Sequence, residues 1–267
     1  MTQAWAAPLR AAIVEIARRA GEAILAVYRH PFEVAHKDDR SPLTEADLDA
    51  HRVIVAGLGS LEPMLPVLSE EAASVPYEER RRWRRYWLVD PLDGTREFIK
   101  RNGEFTVNIA LIEDGVPILG VVYAPDRGEL VHALAGAGTV LERSGEAPVA
   151  IRCVPRFAKA RIAGSRSHRD ERFDAFAARL GDYELLAIGS SLKFCLIAEG
   201  KADAYLRTGP TSEWDTAAGQ CVLEAAGGRV TTLDGAPLRY NTKESLLNPD
   251  FLAVGSDLEA WLALLRS

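Results

Sequence analysis

The sequence predicts a mixed α/β fold, and three observations carry that expectation. Apolar residues recur at helical spacing in the N-terminal segment. They fall into strand-length runs in the middle third, and into alternating helix and strand segments after about residue 150. The chain has 267 residues, enough for one large domain or two smaller ones sharing a core. Hydrophobic residues make up 48% and charged residues 26%, values that exclude a disordered or fibrous chain.

The elements follow in order. Leu9, Ile13, Ile16, Ala17, Ala20, Ile24 and Tyr28 form one helical stripe, with Arg18, Arg19 and Glu22 off it, and Pro31 stops the helix. Lys37-Asp38-Asp39-Arg40-Ser41-Pro42 reads as a loop. Thr44 caps a second helix, with Glu45 and Asp47 in its first turn and Val53, Ile54 and Leu58 on its apolar face. Short apolar runs at 66–69 and 87–89 each end in acids. Residues 106–112 and 118–123 read as strands joined by Glu113-Asp114-Gly115, and 131–135 and 149–153 as further strands, giving a mostly antiparallel sheet. Beyond it come a strand at 161–163, a helix at 169–180, a strand at 183–186, a helix at 192–199, a strand at 202–206 and a helix at 216–226 closed by Gly227-Gly228. There is no repeat and no obvious linker. The division into residues 1–150 and 151–267 is therefore soft, within a single compact unit.

Composition excludes some functions. A net charge of −6 argues against backbone-neutralising nucleic-acid binding, yet leaves room for a phosphate ligand held through a metal. The three cysteines are widely spaced with no CxxC, which reads as reduced thiols in the cytoplasm, with Cys195 and Cys221 in the core. Arg10, Glu15, Arg18 and Arg19 interrupt the N-terminal apolar residues, so no secretory leader is expected. The most apolar stretches, 107–112 and 118–124, fall far short of the ~20 residues that span a bilayer.

The sharpest chemical feature is Asp90-Pro91-Leu92-Asp93-Gly94-Thr95, directly after the apolar strand. Asp-Pro and Asp-Gly are ordinary turn dipeptides, so a plain turn is the competing explanation. Ser69-Glu70-Glu71 and Glu213-Trp214-Asp215 change the balance, because they place more acids at a strand end and just before a helix. Acids gathered without positive partners repel one another, and a hard divalent cation removes the conflict. Oxygen ligands without His or Cys point to Mg²⁺ rather than Zn²⁺. The backbone N–H groups of Gly94 and Thr95, at an expected helix start, suit a phosphate. Together these imply metal-assisted hydrolysis, with one ion activating water and another holding the leaving oxygen. Thr95, held by a carboxylate, would orient that water; Asp47 is one candidate carboxylate among many.

Ser69-Glu70-Glu71, Asp90 to Thr95 and Trp214-Asp215-Thr216-Ala217-Ala218-Gly219 together resemble the inositol monophosphatase superfamily of lithium-sensitive, Mg²⁺-dependent phosphatases. Arg96-Glu97-Phe98-Ile99-Lys100-Arg101-Asn102-Gly103-Glu104-Phe105, Gly189-Ser190-Ser191-Leu192-Lys193-Phe194-Cys195 and Gly209-Pro210-Thr211-Ser212-Glu213 are similar to its bacterial 3′(2′),5′-bisphosphate nucleotidase branch, as is Leu246-Leu247-Asn248-Pro249. The resemblance runs from Thr44 to about Phe251. It implies a layered αβαβα sandwich of the inositol monophosphatase and fructose-1,6-bisphosphatase type.

Carried over by position, Glu70, Asp90 and the Leu92 carbonyl would hold one ion, Asp90, Asp93 and Asp215 a second, and Glu70 would share a third through water. Thr95 and Asp47 would activate the attacking water, and the Gly94 and Thr95 amides would bind the scissile phosphate. Glu70, Leu92, Asp93 and Asp215 would also face the substrate. The implied substrate is adenosine 3′,5′-bisphosphate, converted to AMP and phosphate, with its sulfated parent nucleotide as a second.

Other residues have two readings each. Ser190, Ser191 and Lys193 are a helix cap and a solvated lysine, or contacts to the substrate's sugar or second phosphate. His168 lies in an ordinary polar loop or stacks on adenine. Glu213 simply precedes a helix, or reaches the metal waters or the ribose. Arg80-Arg81-Arg82-Trp83-Arg84-Arg85 is expected to be a solvated face, the sharper alternative being contact with anionic headgroups on the cytoplasmic side of the inner membrane. The resemblance leaves monomer and homodimer open. An inositol or sugar phosphatase of the same superfamily is the alternative activity, although Thr95-Arg96-Glu97-Phe98 argues against the inositol branch. A silent phosphonucleotide-binding module is the alternative of a different class, disfavoured by the intact set of candidate ligands.

Overall fold

Two N-caps fix the helices on which the site depends. Thr44 accepts the backbone N–H of Asp47 while Asp47 accepts that of Thr44, and Ser212 and Asp215 repeat the same capping box. This computed structural model describes residues 4–36, 42–155, 158–164 and 171–266. The chain begins with α1 (Ala7–Tyr28), the two-residue strands β1 (Ala35–His36) and β2 (Pro42–Leu43), and α2 (Glu45–Gly59). Then come β3 (Val67–Ser69), a 3-10 turn (Glu70–Ala72), α3 (Tyr77–Arg80), β4 (Arg85–Asp93) and α4 (Thr95–Ile99). The strands β5 (Thr106–Glu113), β6 (Val116–Ala124), β7 (Glu129–Leu134), β8 (Gly138–Arg143) and β9 (Val149–Ile151) follow. The last third holds β10 (Ala160–Gly164), α5 (Glu171–Leu180), β11 (Tyr183–Ala187), α6 (Leu192–Ala198), β12 (Ala204–Arg207), α7 (Glu213–Ala225), β13 (Arg229–Thr232), β14 (Phe251–Val254) and α8 (Leu258–Arg266).

The described residues form a seven-stranded sheet in sequence order β3 to β9 and a five-stranded sheet ordered β11-β10-β12-β14-β13. In the first sheet β3 and β4 are parallel and the hairpin-linked strands after them antiparallel. Burial defines the layers. The α1 stripe expected from the sequence is the buried face, and with α2 it covers Trp87, Val89, Val107, Ile109 and Leu119 on one side of the large sheet. The opposite side, with Leu88, Ala110 and Val122, packs on α6 and α7, which meet Tyr205, Val230 and Phe251 of the small sheet from their other side. The far side of that sheet, with Ile162, Ala204 and Leu252, is covered by Phe173 and Phe176 of α5 and Trp261 of α8. The result is the expected αβαβα sandwich, with a central core cluster drawn from both sides of residue 150.

Several boundaries move. The helix expected at 216–226 starts at Glu213, because Ser212 caps it, so Glu213 and Asp215 lie in its first turn rather than before it. Strand β8, which opens on the left-handed Gly138, and β13, β14 and α8 are elements that the sequence reading does not identify. The expected loop at 37–42 lies outside the described residues except for Pro42, which pairs in β2.

The arginine run is not a continuous solvated face. Arg80 is 2% exposed, while Arg81 pairs with Glu78, Arg84 with Asp114, and Arg85 with Glu113 beneath the Trp5 ring. Arg81, Arg82 and Arg84 are exposed, as a solvated face requires, and Arg80 departs from that expectation by being buried. Among the described residues no helix is long and apolar enough to cross a membrane.

Candidate active site

Parallel pairing of β3 with β4 brings their C-terminal ends to one edge, Ser69 lying opposite Val89. Glu70 therefore emerges beside Asp90. Between Asp90 and Asp93 the register with β5 slips, Asp90 facing Asn108 and Asp93 facing Thr106, a bulge that re-aims the Pro91-Leu92 segment. The first turn of α7 supplies Asp215. Carboxylate oxygens of Glu70, Asp90 and Asp215 all lie within 4.8 Å of one another.

This trio is electrostatically unhappy alone. Asp90 is 1% exposed, with Oδ1 accepting the Leu92 N–H at 3.0 Å. Burial pushes its carboxyl well above the usual range, and Glu70, Asp93, Asp215 and Asp47 push further. Asp215 is raised in the same way, first by burial and then by Asp93, against the opposing pull of the Ser212 N–H on its Oδ2. Oxygen-only donors that converge around one buried carboxylate and repel one another fit a hard divalent cation.

Asp93 stands beside the trio rather than within it. Its Oδ2 accepts from Ser190 Oγ (2.8 Å), the Ser191 N–H (2.7 Å) and Ser191 Oγ (3.0 Å). Ser190 holds a left-handed φ of 54° to do so, braced by the hydroxyl of Thr106. Asn108 donates to Ser191 Oγ at 2.9 Å and completes a polar knot behind the acid.

Thr95 and Asp47, 48 positions apart, meet. Thr95 Oγ1 lies 3.3 Å from Asp47 Oδ1 and 3.4 Å from the Leu92 carbonyl. Asp47 is buried, and its Oδ2 is locked by the Thr44 N–H and hydroxyl at 2.8 and 2.7 Å. One oxygen holds the helix cap while the other faces the site. Gly94 adopts φ 90°, and a Cβ there would sit 3.1 Å from the Glu104 carbonyl, so glycine is required.

The acids open onto a cleft of about 490 Å³ lined by Glu70, Asp90, Leu92, Thr95 and Asp215, and its neighbour of about 250 Å³ shares Asp93, Gly94, Arg96 and Arg207 with it. Lys193 lines the smaller one. It is not a solvated lysine: it is 6% exposed, lies over the Tyr205 ring at 5.2 Å and donates to the Ser190 carbonyl at 2.8 Å. Burial brings its ammonium down to about 8. Arg96, Lys100 and Arg207 add three cations that sequence reasoning missed. Arg96 and Lys100 stand four residues apart after the Asp-Gly-Thr turn, and Arg207 ends a strand just ahead of Gly209-Pro210; those spacings were the available signals.

Two expectations fall elsewhere. Glu213 is fully buried and points away from the cleft, accepting the Asn241 N–H at 2.8 Å. It turns away because a residue at the first helical position faces opposite to Asp215 two positions on. His168 lies outside the described residues.

A family profile described as the inositol monophosphatase family matches residues 5–264. This chain belongs to the inositol monophosphatase family. Within the family it is 50% identical over 242 residues to the 3′(2′),5′-bisphosphate nucleotidase CysQ of Salmonella typhimurium, an alignment covering 90% of this chain and 96% of that one. The same protein of Escherichia coli strain K12 matches at 50% over 242 residues with the same coverage. Among solved family structures, CysQ from Bacteroides thetaiotaomicron superposes with a TM-score of 0.82 at 43% identity, covering 93% of this chain and 97% of that chain. An inositol monophosphatase from Zymomonas mobilis gives 0.77 at 25% identity, covering 98% and 99%.

Proposed function

We propose that this protein is a 3′(2′),5′-bisphosphate nucleotidase, a phosphomonoesterase that hydrolyses the 3′-phosphate of adenosine 3′,5′-bisphosphate to AMP and phosphate with Mg²⁺. The observation that carries the reading is the Glu70–Asp90–Asp215 trio set beside Thr95–Asp47 at the mouth of a cleft lined by Arg96, Lys100, Lys193 and Arg207. One end suits a phosphoryl group under attack and the other a second phosphate, which inositol monophosphates lack. Half of the positions are identical to a relative named for this activity, along nearly the whole length of both chains.

In our reading Glu70, Asp90 and the Leu92 carbonyl would hold one ion, Asp90, Asp93 and Asp215 would hold a second, and Glu70 would contribute to a third. A divalent cation bound there supplies positive charge to the phosphoryl oxygens and acidity to water. The chain's own groups do the rest. Asp47 accepts the Thr95 hydroxyl proton, leaving the Thr95 oxygen free to take a proton from the attacking water. The Gly94 and Thr95 amides orient the phosphoryl oxygens, and Ser190, Lys193 and Arg207 fix the sugar and second phosphate. The sulfated parent nucleotide fits the same cleft chemistry, and Li⁺ is expected to inhibit. Residues 1–150 supply most of the metal and phosphate groups, and residues 151–267 the serine loop, two cations and the last carboxylate. Three free thiols suit a reducing cytoplasm.

The test is phosphate release from adenosine 3′,5′-bisphosphate and inositol 1-phosphate, with Mg²⁺, without it, and with Li⁺. Mg²⁺-dependent preference for the nucleotide supports the reading. Preference for the inositol ester keeps the metal site and overturns the substrate. Silence on both returns the binding module. Asp93→Asn should abolish turnover; full activity in that variant would remove Asp93 from the ligand set.

A further inference from the structure

The buried member of the arginine run has no part in the chemistry described so far, yet it ties together two segments that carry carboxylates of the trio. Arg80 ends α3, downstream of Glu70 and upstream of Asp90. Its guanidinium donates to Asn241 Oδ1 at 2.5 Å and to the Glu244 carbonyl, and its own carbonyl accepts Asn241 Nδ2 at 2.6 Å. The Tyr77 ring lies 4.9 Å from the charge. Asn241 sits at a left-handed φ of 56° and gives its N–H to Glu213.

The strap from Tyr240 to Asn248 is then fastened along the start of α7. The Glu213 N–H reaches the Leu246 carbonyl at 2.8 Å, and the Asn248 N–H reaches that of Thr211 at 2.7 Å. The Asn248 amide donates to the Ser212 carbonyl at 2.7 Å and to Thr216 Oγ1 at 3.0 Å. Ser212 in turn caps the helix through Asp215. Contacts therefore run unbroken from Arg80 to Asp215.

We propose that Arg80 and Asn241 are positioning residues for the metal centre: their pairing sets where Asp215 stands relative to Glu70 and Asp90, and so sets cation affinity. The inference rests on the metal reading above. A planar guanidinium that satisfies two acceptors at fixed angles holds two chain segments in one register, which a single-point ammonium does not. Groups that orient metal ligands typically change affinity about 10- to 100-fold when removed.

The experiment measures Mn²⁺ binding alone, by loss of the free-ion EPR signal, in wild type, Arg80→Met, Arg80→Lys, Asn241→Ala and the Arg80→Met/Asn241→Ala pair, with thermal midpoints recorded alongside. The Mn²⁺ dissociation constant should rise about tenfold or more in Arg80→Met and in Asn241→Ala, with Arg80→Lys between them and wild type. The double variant should be no worse than the poorer single one, since both remove one pairing. A lowered midpoint with an unchanged dissociation constant makes the pair purely structural and overturns the proposal; Asn241→Ala decides if Arg80→Met does not fold. Wild-type protein that binds no Mn²⁺ overturns the metal reading itself, a result distinct from variants that bind as tightly as wild type.

Discussion

Replacing Lys193 with methionine is expected to make the protein more stable and the enzyme worse. Burial is the first cause that brings the ammonium from 10.5 to about 8. At ~1.4 kcal/mol per pH unit, that gap is about 3.5 kcal/mol against the charged form. Methionine has a similar reach and no charge, so it removes the cost. It forfeits about 1 kcal/mol with the hydrogen bond to the Ser190 carbonyl and about 0.5–1 kcal/mol with the ring contact to Tyr205. The balance is a gain of about 1–2 kcal/mol at pH 7, at ~2–4 °C in Tm per kcal/mol for a chain of this size. The pH dependence fixes the cause. Below about 8 the lysine is protonated in both states and the cost is whole. From about 8 to 10.5 the unfolded lysine keeps its proton and the folded one does not, so wild-type stability rises with pH and the variant's advantage closes. Thermal unfolding of both proteins at pH 7 and pH 9.5, with KM for the bisphosphate measured in parallel, tests this. A variant less stable at pH 7, or an advantage undiminished at pH 9.5, refutes the reasoning; an unchanged KM removes Lys193 from the second-phosphate site.

Three more outcomes are expected. Asp47→Asn keeps an acceptor for the Thr44 cap but takes away the proton acceptor facing Thr95, so kcat should fall about 10²–10⁴-fold with little change in thermal midpoint; a loss under tenfold would place the water-activating group elsewhere. His132 accepts from Arg10 Nε at 2.7 Å and faces Glu142 at 2.9 Å, and burial holds its imidazole below the ordinary 6.5. As pH drops below 6.5 the unfolded imidazole takes a proton that the folded one resists, so stability falls, and His132→Gln should flatten that slope in urea titrations at pH 5 and 7.5. Gly120 on β6 has no room for a methyl group, since a Cβ would stand 2.8 Å from both the Ala218 carbonyl and Cys221 Cβ of α7. Gly120→Ala should cost about 1–3 kcal/mol in chemical denaturation, and a variant as stable as wild type would contradict the sheet–helix packing.

Much of this was legible because it is local. The α1 stripe, the Thr44 cap, the hairpin strands and the acid-ended strands each announce themselves within a dozen residues, through periodicity and capping chemistry that need no distant partner. Short elements such as β13 and β14 carry too few residues to show a period, and the lone histidine at 168 falls where nothing is described. Glu213 misled because an acid beside a ligand is indistinguishable from a ligand until the helix start is known; two residues' rotation, about 200°, turns it away from Asp215 and into the interior.

The types of donor follow from residue identity alone: oxygen ligands, a glycine where the backbone needs a left-handed turn, a hydroxyl next to it. Residue chemistry does not depend on where the chain goes. Which acids meet is a property of the folded chain. Glu70, Asp90 and Asp215 converge because a parallel strand pair and a capped helix end at the same edge, Asp47 rather than any other carboxylate faces Thr95, and Asp93 is held aside by two serines nearly a hundred positions away. Those meetings are long-range pairings fixed by the burial of both sheet faces, and no local pattern in the chain encodes them.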